Sequence, residues 1–231
     1  MNKIIPIFSF LFIITIFSFN SAKAQEERAV KNFHAVANAG AVAVFVKMGE
    51  EESLLIEGQD EDVERIETVV QNGILKIRTK RDINNWNVAI NTVKIYITAV
   101  KLDALLQSGS GNIELDGKIE SASADIQVSG SGKIIASMDT QNAKVTLSGS
   151  GGIILAGKVG KLNITMAGSG DVNADKLIAE NSKISIAGNG TAYVNVSENI
   201  DAKIIGPGAV RYLGDPEITT RKLGEGSVSR M

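Results

Sequence analysis

The sequence predicts an all-β chain folded as a right-handed parallel β-helix, a β-solenoid with coils of about 19–20 residues that turn at Gly-x-Gly corners. Three observations predict it. A corner motif recurs as Gln107-Ser-Gly-Ser-Gly111, Val128-Ser-Gly-Ser-Gly132, Leu147-Ser-Gly-Ser-Gly151 and Met166-Ala-Gly-Ser-Gly170. Looser copies follow at Ile186-Ala-Gly-Asn-Gly190, Ile205-Gly-Pro-Gly208 and Leu223-Gly-Glu-Gly226, with successive copies 18 to 21 residues apart. A single unit this short cannot bury its own apolar face, so a fixed period of this length means stacked coils. Second, apolar residues flank each corner with one parity: Ile126 and Val128 before, Ile134 and Ala136 after, and likewise in the later copies. Third, each coil carries one strong motif rather than three matching hexads, which favours the right-handed type.

Residues 1–24 read as a cleaved signal peptide. Met1-Asn-Lys3 gives a positive start, Ile4 to Phe19 is uncharged and largely apolar, and Ala22-Lys23-Ala24 is a small-x-small cleavage site. The run is short for a membrane span. The mature chain is expected to begin at Gln25, without membrane insertion. There is no cysteine, which rules out disulfides, thiol chemistry and a lipid anchor on an N-terminal Cys. The expected location is therefore the periplasm, the cell surface or the extracellular space, not lipid-anchored. The formal charge of the whole chain is −2, and losing Lys3 and Lys23 makes the mature chain more acidic. Such a balance gives no electrostatic basis for nucleic-acid binding.

Residues 25–106 form an N-terminal β-rich part, continuous with the repeat solenoid at 107–231. Ala41–Val46, Ser53–Glu57, Gly73–Arg78 and Val93–Thr98 mostly alternate and read as strands. Asp60–Thr68 is charged and reads as a helical turn or a loop. One duty of this part is to cover the end of the solenoid, where strand edges would otherwise be open. Between the last two strands, Arg81–Asn87 is an irregular loop holding the only tryptophan. Asn84, Asn85, Trp86 and Asn87 are its candidate recognition tip.

The corner glycines Gly109, Gly111, Gly130, Gly132, Gly149, Gly151, Gly168, Gly170, Gly188, Gly190, Gly206 and Gly208 are structural candidates. Both glycines of a corner share the inward parity of the apolar rows, so a side chain at either would strike the neighbouring coil. The residue between them points outward, as Ser110, Ser131, Ser150, Ser169 and Asn189, and stacking makes a polar ladder of solvated turns. Polar breaks at Asp116-Gly117, Asp139-Thr140, Gly157-Lys158 and Glu198-Asn199 divide each coil into two or three short strands.

The Ser-Gly-Ser-Gly strands at 108–111, 129–132 and 148–151 occur with Phe33-His-Ala-Val36, Gly40-Ala-Val-Ala-Val44, Ile66–Ile77 and Val210-Arg-Tyr-Leu-Gly-Asp-Pro216. In that order they resemble the putative auto-transporter adhesin, head GIN domain family, over roughly residues 33 to 228. The resemblance implies an exported β-helical protein of a kind common in Bacteroidota, adhesin-like and without assigned enzymatic chemistry or cofactor.

Direct chemical signals are few. The single histidine, His34, reads as a strand-edge residue, and a Ser-His-Asp triad would require it. One histidine and no cysteine leave no N/S zinc site. Asp171 faintly matches a calcium β-roll aspartate, but its column elsewhere holds Asn112, Lys133, Gly152 and Thr191, so no ladder of oxygen ligands forms. The acids Glu114, Asp125, Asp139, Asp171 and Asp175 are scattered over different columns. The reading is a non-catalytic envelope protein that binds or scaffolds through its solenoid surface, with a protein or glycan ligand. A homo-oligomer through strand or end packing is a further partner reading. A periplasmic structural or envelope-stress protein is the alternative, followed by a polysaccharide-active enzyme.

Overall fold

A computed structural model describes residues 24–80 and 93–231. Residues 1–23 of the leader and the loop residues Asn84, Asn85, Trp86 and Asn87 lie outside the described residues. The described chain is a β-solenoid whose 17 strands join one sheet.

The N-terminal elements are β1 (Ala24–Glu27), β2 (Ala35–Ala39), β3 (Ala43–Met48), β4 (Ser53–Gly58), α1 (Asp60–Glu64), β5 (Ile66–Gln71), β6 (Ile74–Thr79), β7 (Lys94–Ala99), β8 (Ala104–Gly109) and β9 (Asn112–Asp116). They do not stack in chain order. The coil made by β2 and β3 pairs in parallel with β6 and β7 on one side and with β8 and β9 on the other. Coil-forming structure therefore begins at Ala35, and the turn Gly40-Ala41-Val42 stacks beneath the corner of Gly109 and Gly111. Beyond this coil the pattern becomes antiparallel: β4 pairs with β7, β1 with β4, and β5 with β6. Asn72 and Gly73, both at positive φ, turn the β5–β6 hairpin. The stretch read as a helical turn or loop holds α1 and the start of β5. Its alternating Ile66-Glu-Thr-Val-Val70 pattern was hidden by the acidic run before it.

The regular coils follow as β10 (Ile119–Gly130), β11 (Lys133–Gly149), β12 (Gly152–Gly168), β13 (Asp171–Gly188) and β14 (Thr191–Ile205). The last are β15 (Ala209–Leu213), β16 (Glu217–Leu223) and β17 (Ser227–Arg230). β11 to β14 each run from one Gly-x-Gly corner to the next, β10 runs from Ile119 to such a corner, and each pairs in parallel with the coils before and after it. Asp116-Gly117 separates β9 from β10, while the breaks at Asp139-Thr140, Gly157-Lys158 and Glu198-Asn199 are bends inside this pairing. In β11 the buried residues are Ile134, Ala136, Met138 and Thr140, then Ala143, Val145 and Leu147. The parity changes at Gln141-Asn142, so both arms of the coil, before and after the bend, turn apolar side chains inward.

The inward rows form one hydrophobic core. The row Ile95, Val44, Ile113, Ile134, Ile153 and Val172 is at most 1% exposed along its length. Each such side chain contributes about 1.5–3 kcal/mol of hydrophobic burial. Within the core, Asn38 and Gln107 are polar and 1% exposed. Asn38 Nδ2 donates to Gln107 Oε1 at 2.8 Å and to the Val42 carbonyl at 3.0 Å, while Gln107 Nε2 donates to the Gly40 carbonyl at 3.2 Å.

Candidate functional site

The corners come first, because they set the spacing of everything outside the core. Gly109, Gly130, Gly149, Gly168 and Gly188 are register partners in successive coils. These first glycines, with Gly206 and Gly224, have φ from +103° to +129°, the left-handed region that glycine alone enters freely. They are exposed or half-buried, not inward as the parity argument held, because the positive φ breaks the strand alternation at that residue. The second glycines are buried. A Cβ on Gly151 would meet the Gly132 carbonyl oxygen, and the same holds up the column from Gly132 on Gly111 to Gly190 on Gly170. That space is filled by hydrogen bonds between coils, with Gly151 N–H on the Gly130 carbonyl at 2.9 Å and Gly152 N–H on the Gly132 carbonyl at 3.0 Å. The residues between the glycines are exposed; Ser169 Oγ donates to Asn189 Oδ1 at 2.9 Å.

Stacking at fixed register turns each outward position into a column, and the two arms differ. On the arm before each corner, one column reads Gln127, Thr146, Thr165, Ser185, Lys203 and Arg221. These six residues are polar, and the column holds Leu106 and Ala37 in the two coils before them. On the arm after each corner, the middle outward column begins Leu55, Tyr96, Phe45 and Glu114. It continues through Ile135, Ile154, Asn173, Tyr193 and Arg211. Ile135, Ile154 and Tyr96 are each 36% exposed, and the Phe45 and Tyr96 rings stack at 5.3 Å and 19°. Branched and aromatic residues outside the core of a parallel coil are not needed to close it.

At the N-terminal end of this face an open groove of about 880 Å³ lies between the sheet and the segment Glu27–Lys31. Leu55, Tyr96 and Phe45 form its apolar floor. Two of its charged residues hold the walls. Arg28 donates to the Ile66 carbonyl at 2.7 Å, the Val63 carbonyl at 3.2 Å and Glu26 at 2.8 Å. The hydrogen bond from Arg28 keeps the Glu26 carboxyl below its ordinary pKa. Glu52 accepts the N–H groups of Asn32 at 2.6 Å and Phe33 at 3.1 Å, pinning Asn32 at a φ of +60°. Lys31, Lys47, Glu27, Glu114 and Asp116 complete the rim. Glu114, weighed as a scattered acid, thus joins Asp116 beside an aromatic pair. The signal missed in the sequence is that Phe45 and Tyr96 become neighbours only through the out-of-order stacking of β3 and β7.

A second, smaller depression of about 590 Å³ holds His34, Asp103 and Ser121. His34 Nδ1 lies 2.9 Å from Asp103 Oδ1, but Ser121 Oγ donates to the Ser123 carbonyl at 2.7 Å rather than to the imidazole. Nothing there activates a nucleophile. Asp171 Oδ1 accepts the Thr191 N–H at 3.1 Å, a bond between coils. Among the described residues no group of His, Cys, Asp and Glu gathers as a metal site, and no helix is long and apolar enough to cross a membrane.

A family model for the putative auto-transporter adhesin, head GIN domain, matches residues 32–216. Among solved structures, a putative adhesin of Bacteroides fragilis NCTC 9343 superposes with a TM-score of 0.82 at 23% identity, covering 91% of this chain and 97% of that one. A putative lipid binding protein of Parabacteroides distasonis ATCC 8503 gives 0.70 at 22% identity, over 92% and 98%. A putative adhesin of the same organism gives 0.72 at 18%, again over 92% and 98%. At these identities the likeness is one of fold. No curated protein matches the sequence.

Proposed function

The chain belongs to this adhesin-head family, and we propose that it is a non-catalytic, exported binding and scaffolding module of the cell envelope. Its contact surface is the outward face of the arm after each corner, from the Phe45–Tyr96 groove to Tyr193. The observation that carries this reading is the difference between the arms. Inward chemistry is the same on both, yet the middle outward column of one arm is polar from Gln127 to Arg221, that arm's exposed apolar residues being Ile205 and Leu223 at the last corners, while the other presents Ile135 and Ile154 in line with a stacked aromatic pair. Contiguous exposed apolar surface on a folded protein marks an interaction site. A rigid stack repeats its contacts at every coil, so weak individual contacts add through effective concentration.

The floor of the groove cannot recruit a ligand by strand addition. β3 and β7 are paired on both sides, so their backbone groups are used. Recognition there depends on side chains alone.

The first experiment treats intact cells with a protease that does not cross the outer membrane, against a periplasmic control. Intact mass on the recovered protein reports whether residues 1–24 are removed. Digestion on intact cells supports the adhesin form of the reading. Protection until the envelope is opened moves the partner to the periplasm. Steady turnover of an envelope polysaccharide by the purified protein would overturn the non-catalytic assignment.

A second reading places a small amphiphile in the groove. Its apolar floor favours this, and one structural neighbour is named as a putative lipid binding protein. Mass spectrometry of organic extracts of the native protein tests it; a Leu55→Glu variant should lose any co-purifying lipid.

A further inference from the structure

We propose that the partner of this outward face is a second copy of the same chain, packed face to face about a twofold axis that lies along the strand direction between Ile135 and Ile154. The inference rests on the reading above that this face is the contact surface, and it names the occupant.

The argument is one of self-complementarity. A twofold axis along the strands keeps each column opposite itself and reverses its order along the solenoid. With the axis between the rows of Ile135 and Ile154, Ile135 of one copy opposes Ile154 of the second copy. Moving outward, Glu114 then opposes Asn173, Phe45 opposes Tyr193, and Tyr96 opposes Arg211. The centre is apolar and uncharged. Next come an aromatic pair and a cation over an aromatic ring, both favourable contacts at an interface.

The flanking columns obey the same symmetry. On one side Lys133 opposes Gly152 and Asn112 opposes Asp171, by the registers of β9 with β11, β11 with β12 and β12 with β13. On the other side Ser137 opposes Ala156, and Asp116 opposes Lys176, a pair of opposite charges. Lys47 opposes Asn195. The bulge in β13 sets Asp175 beside Lys176, so Asp116 meets a cation and an acid in that row, and none of the other rows sets like charges together.

The groove fits the same arrangement. Reversal brings Tyr193 and Arg211 of the second copy over the opening floored by Tyr96 and Phe45. Arg28 and Glu52 are committed to the groove walls, which leaves the acids Glu27, Glu114 and Asp116 against Lys31 and Lys47 at the rim. The residual sign is negative, and the residue brought to it is an arginine. Both grooves are filled at once, so the assembly closes as a dimer instead of growing into a filament.

The area lies at the low end of the range for specific complexes. Nine strands at about 4.8 Å spacing, each presenting about five residues at roughly 3.3 Å, give a face of about 600–700 Å² per copy. Stable complexes bury about 800 Å² per partner, so a dimer of moderate affinity is expected. Two sheet faces also pack readily with their strands nearly aligned.

The test is light scattering and sedimentation of the purified protein over a concentration series, for the wild type and three variants. The wild type should pass from monomer to dimer as concentration rises. Ile154→Asp, which sets a carboxylate at the apolar centre, should weaken dimerisation at least 100-fold. Arg211→Glu should weaken it about 10-fold. Thr165→Asp, on the polar arm, should leave it unchanged. All three positions point outward, so matching melting curves exclude misfolding as the cause. A wild type monomeric at every concentration overturns the proposal, and so does a dimer that Thr165→Asp disrupts and Ile154→Asp does not. The same variants in a cell-binding assay separate this proposal from the reading beneath it. If the protein is monomeric and Ile154→Asp abolishes attachment, the second copy is the wrong partner and the contact face stands. If the predicted dimer forms and Ile154→Asp leaves attachment unchanged, the second copy is the right partner and a ligand-binding role for this face falls.

Discussion

The two ends of the solenoid solve one problem by different means. At the N-terminal end the chain leaves its own repeat: β4, α1 and β5 cross the stack, and Val30, Phe33, Val63 and Ile66 are buried there. At the other end the repeat continues and only the side chains change. Thr220 and Lys222 stand in the inward rows that hold Ala202 and Ile204 one coil earlier, and Arg230 follows Tyr212. Arg230 reaches Asp215 at 3.7 Å. A further coil stacked on this surface would have to bury Lys222 and Arg230, which guards the open edge by charge. The difference teaches that closing a stack requires either new topology or merely polar residues in apolar columns, and that the second is far harder to see in a sequence.

The comparison can be broken at the corners, on which the regular part depends at every coil. Gly151→Ala puts a Cβ against the Gly132 carbonyl oxygen, backbone that cannot move aside. It should cost about 1–3 kcal/mol and lower the Tm by roughly 5–10 °C. Gly152→Ala, one residue on, meets nothing nearer than 3.7 Å and has an ordinary φ. Its Tm should be unchanged or slightly raised. Equal losses from the two, by calorimetry, would refute the stacked-corner argument.

In the irregular part the corresponding element is the buried amide pair. Asn38→Ala leaves Gln107 Oε1 and the Val42 carbonyl without their donor, at a cost of about 2–3 kcal/mol. In the next coils the same column holds Val128 and Leu147. The double variant Asn38→Val with Gln107→Leu should therefore regain part of the loss in chemical denaturation. A strictly additive double variant would show that the two amides do not act together.

A smaller effect is expected from Arg28→Ala. It unties α1 and β5 from β1 and should cost about 1–2 kcal/mol. Hydrogen exchange should quicken at residues 60–71 and stay unchanged in β12. The smallest concerns Glu67 and Arg78 on the β5–β6 hairpin, where Arg78 donates twice to the carboxylate at 2.9 Å. That hydrogen bond holds the Glu67 pKa below its ordinary value. Because the folded value is the lower one, the stabilisation is present above the unfolded carboxylate pKa and is lost as pH falls through the folded one. Arg78→Ala should return the Glu67 titration, followed by NMR, to the ordinary carboxylate range. Both groups are exposed, so the melting temperature should hardly move.

Most of the solenoid was legible in the sequence. Gly-x-Gly corners, one-parity apolar rows and the 18–21-residue spacing are local signals, and each repeats often enough to be unambiguous. What was not legible depends on contacts between distant segments. The coil of β2 and β3 has only Gly40 and a buried Val42 where later corners have two glycines, so nothing local marks it as part of the stack. Phe45 and Tyr96 lie 51 residues apart, and no periodicity brings them together. The contact face was hidden for a related reason. Ile135 and Ile154 belong to apolar runs, Ile134-Ile135 and Ile153-Ile154, in which alternation cannot say which residue is surplus to the core.

The out-of-order coil also constrains how the molecule comes to be. A chain synthesised from its N-terminus presents residues 35–48 first, but the strands that flank them on both sides arrive later, the last ending at Asp116. Until then that coil has two raw edges and no neighbour. The first stable nucleus must gather strands drawn from residues 35–116 in a single cooperative event of high contact order, which is slow. Every coil after it can add by zipping onto a finished template, one short loop closure at a time. The rate of maturation is therefore set in the irregular third of the molecule, and the long regular part follows almost for free in time.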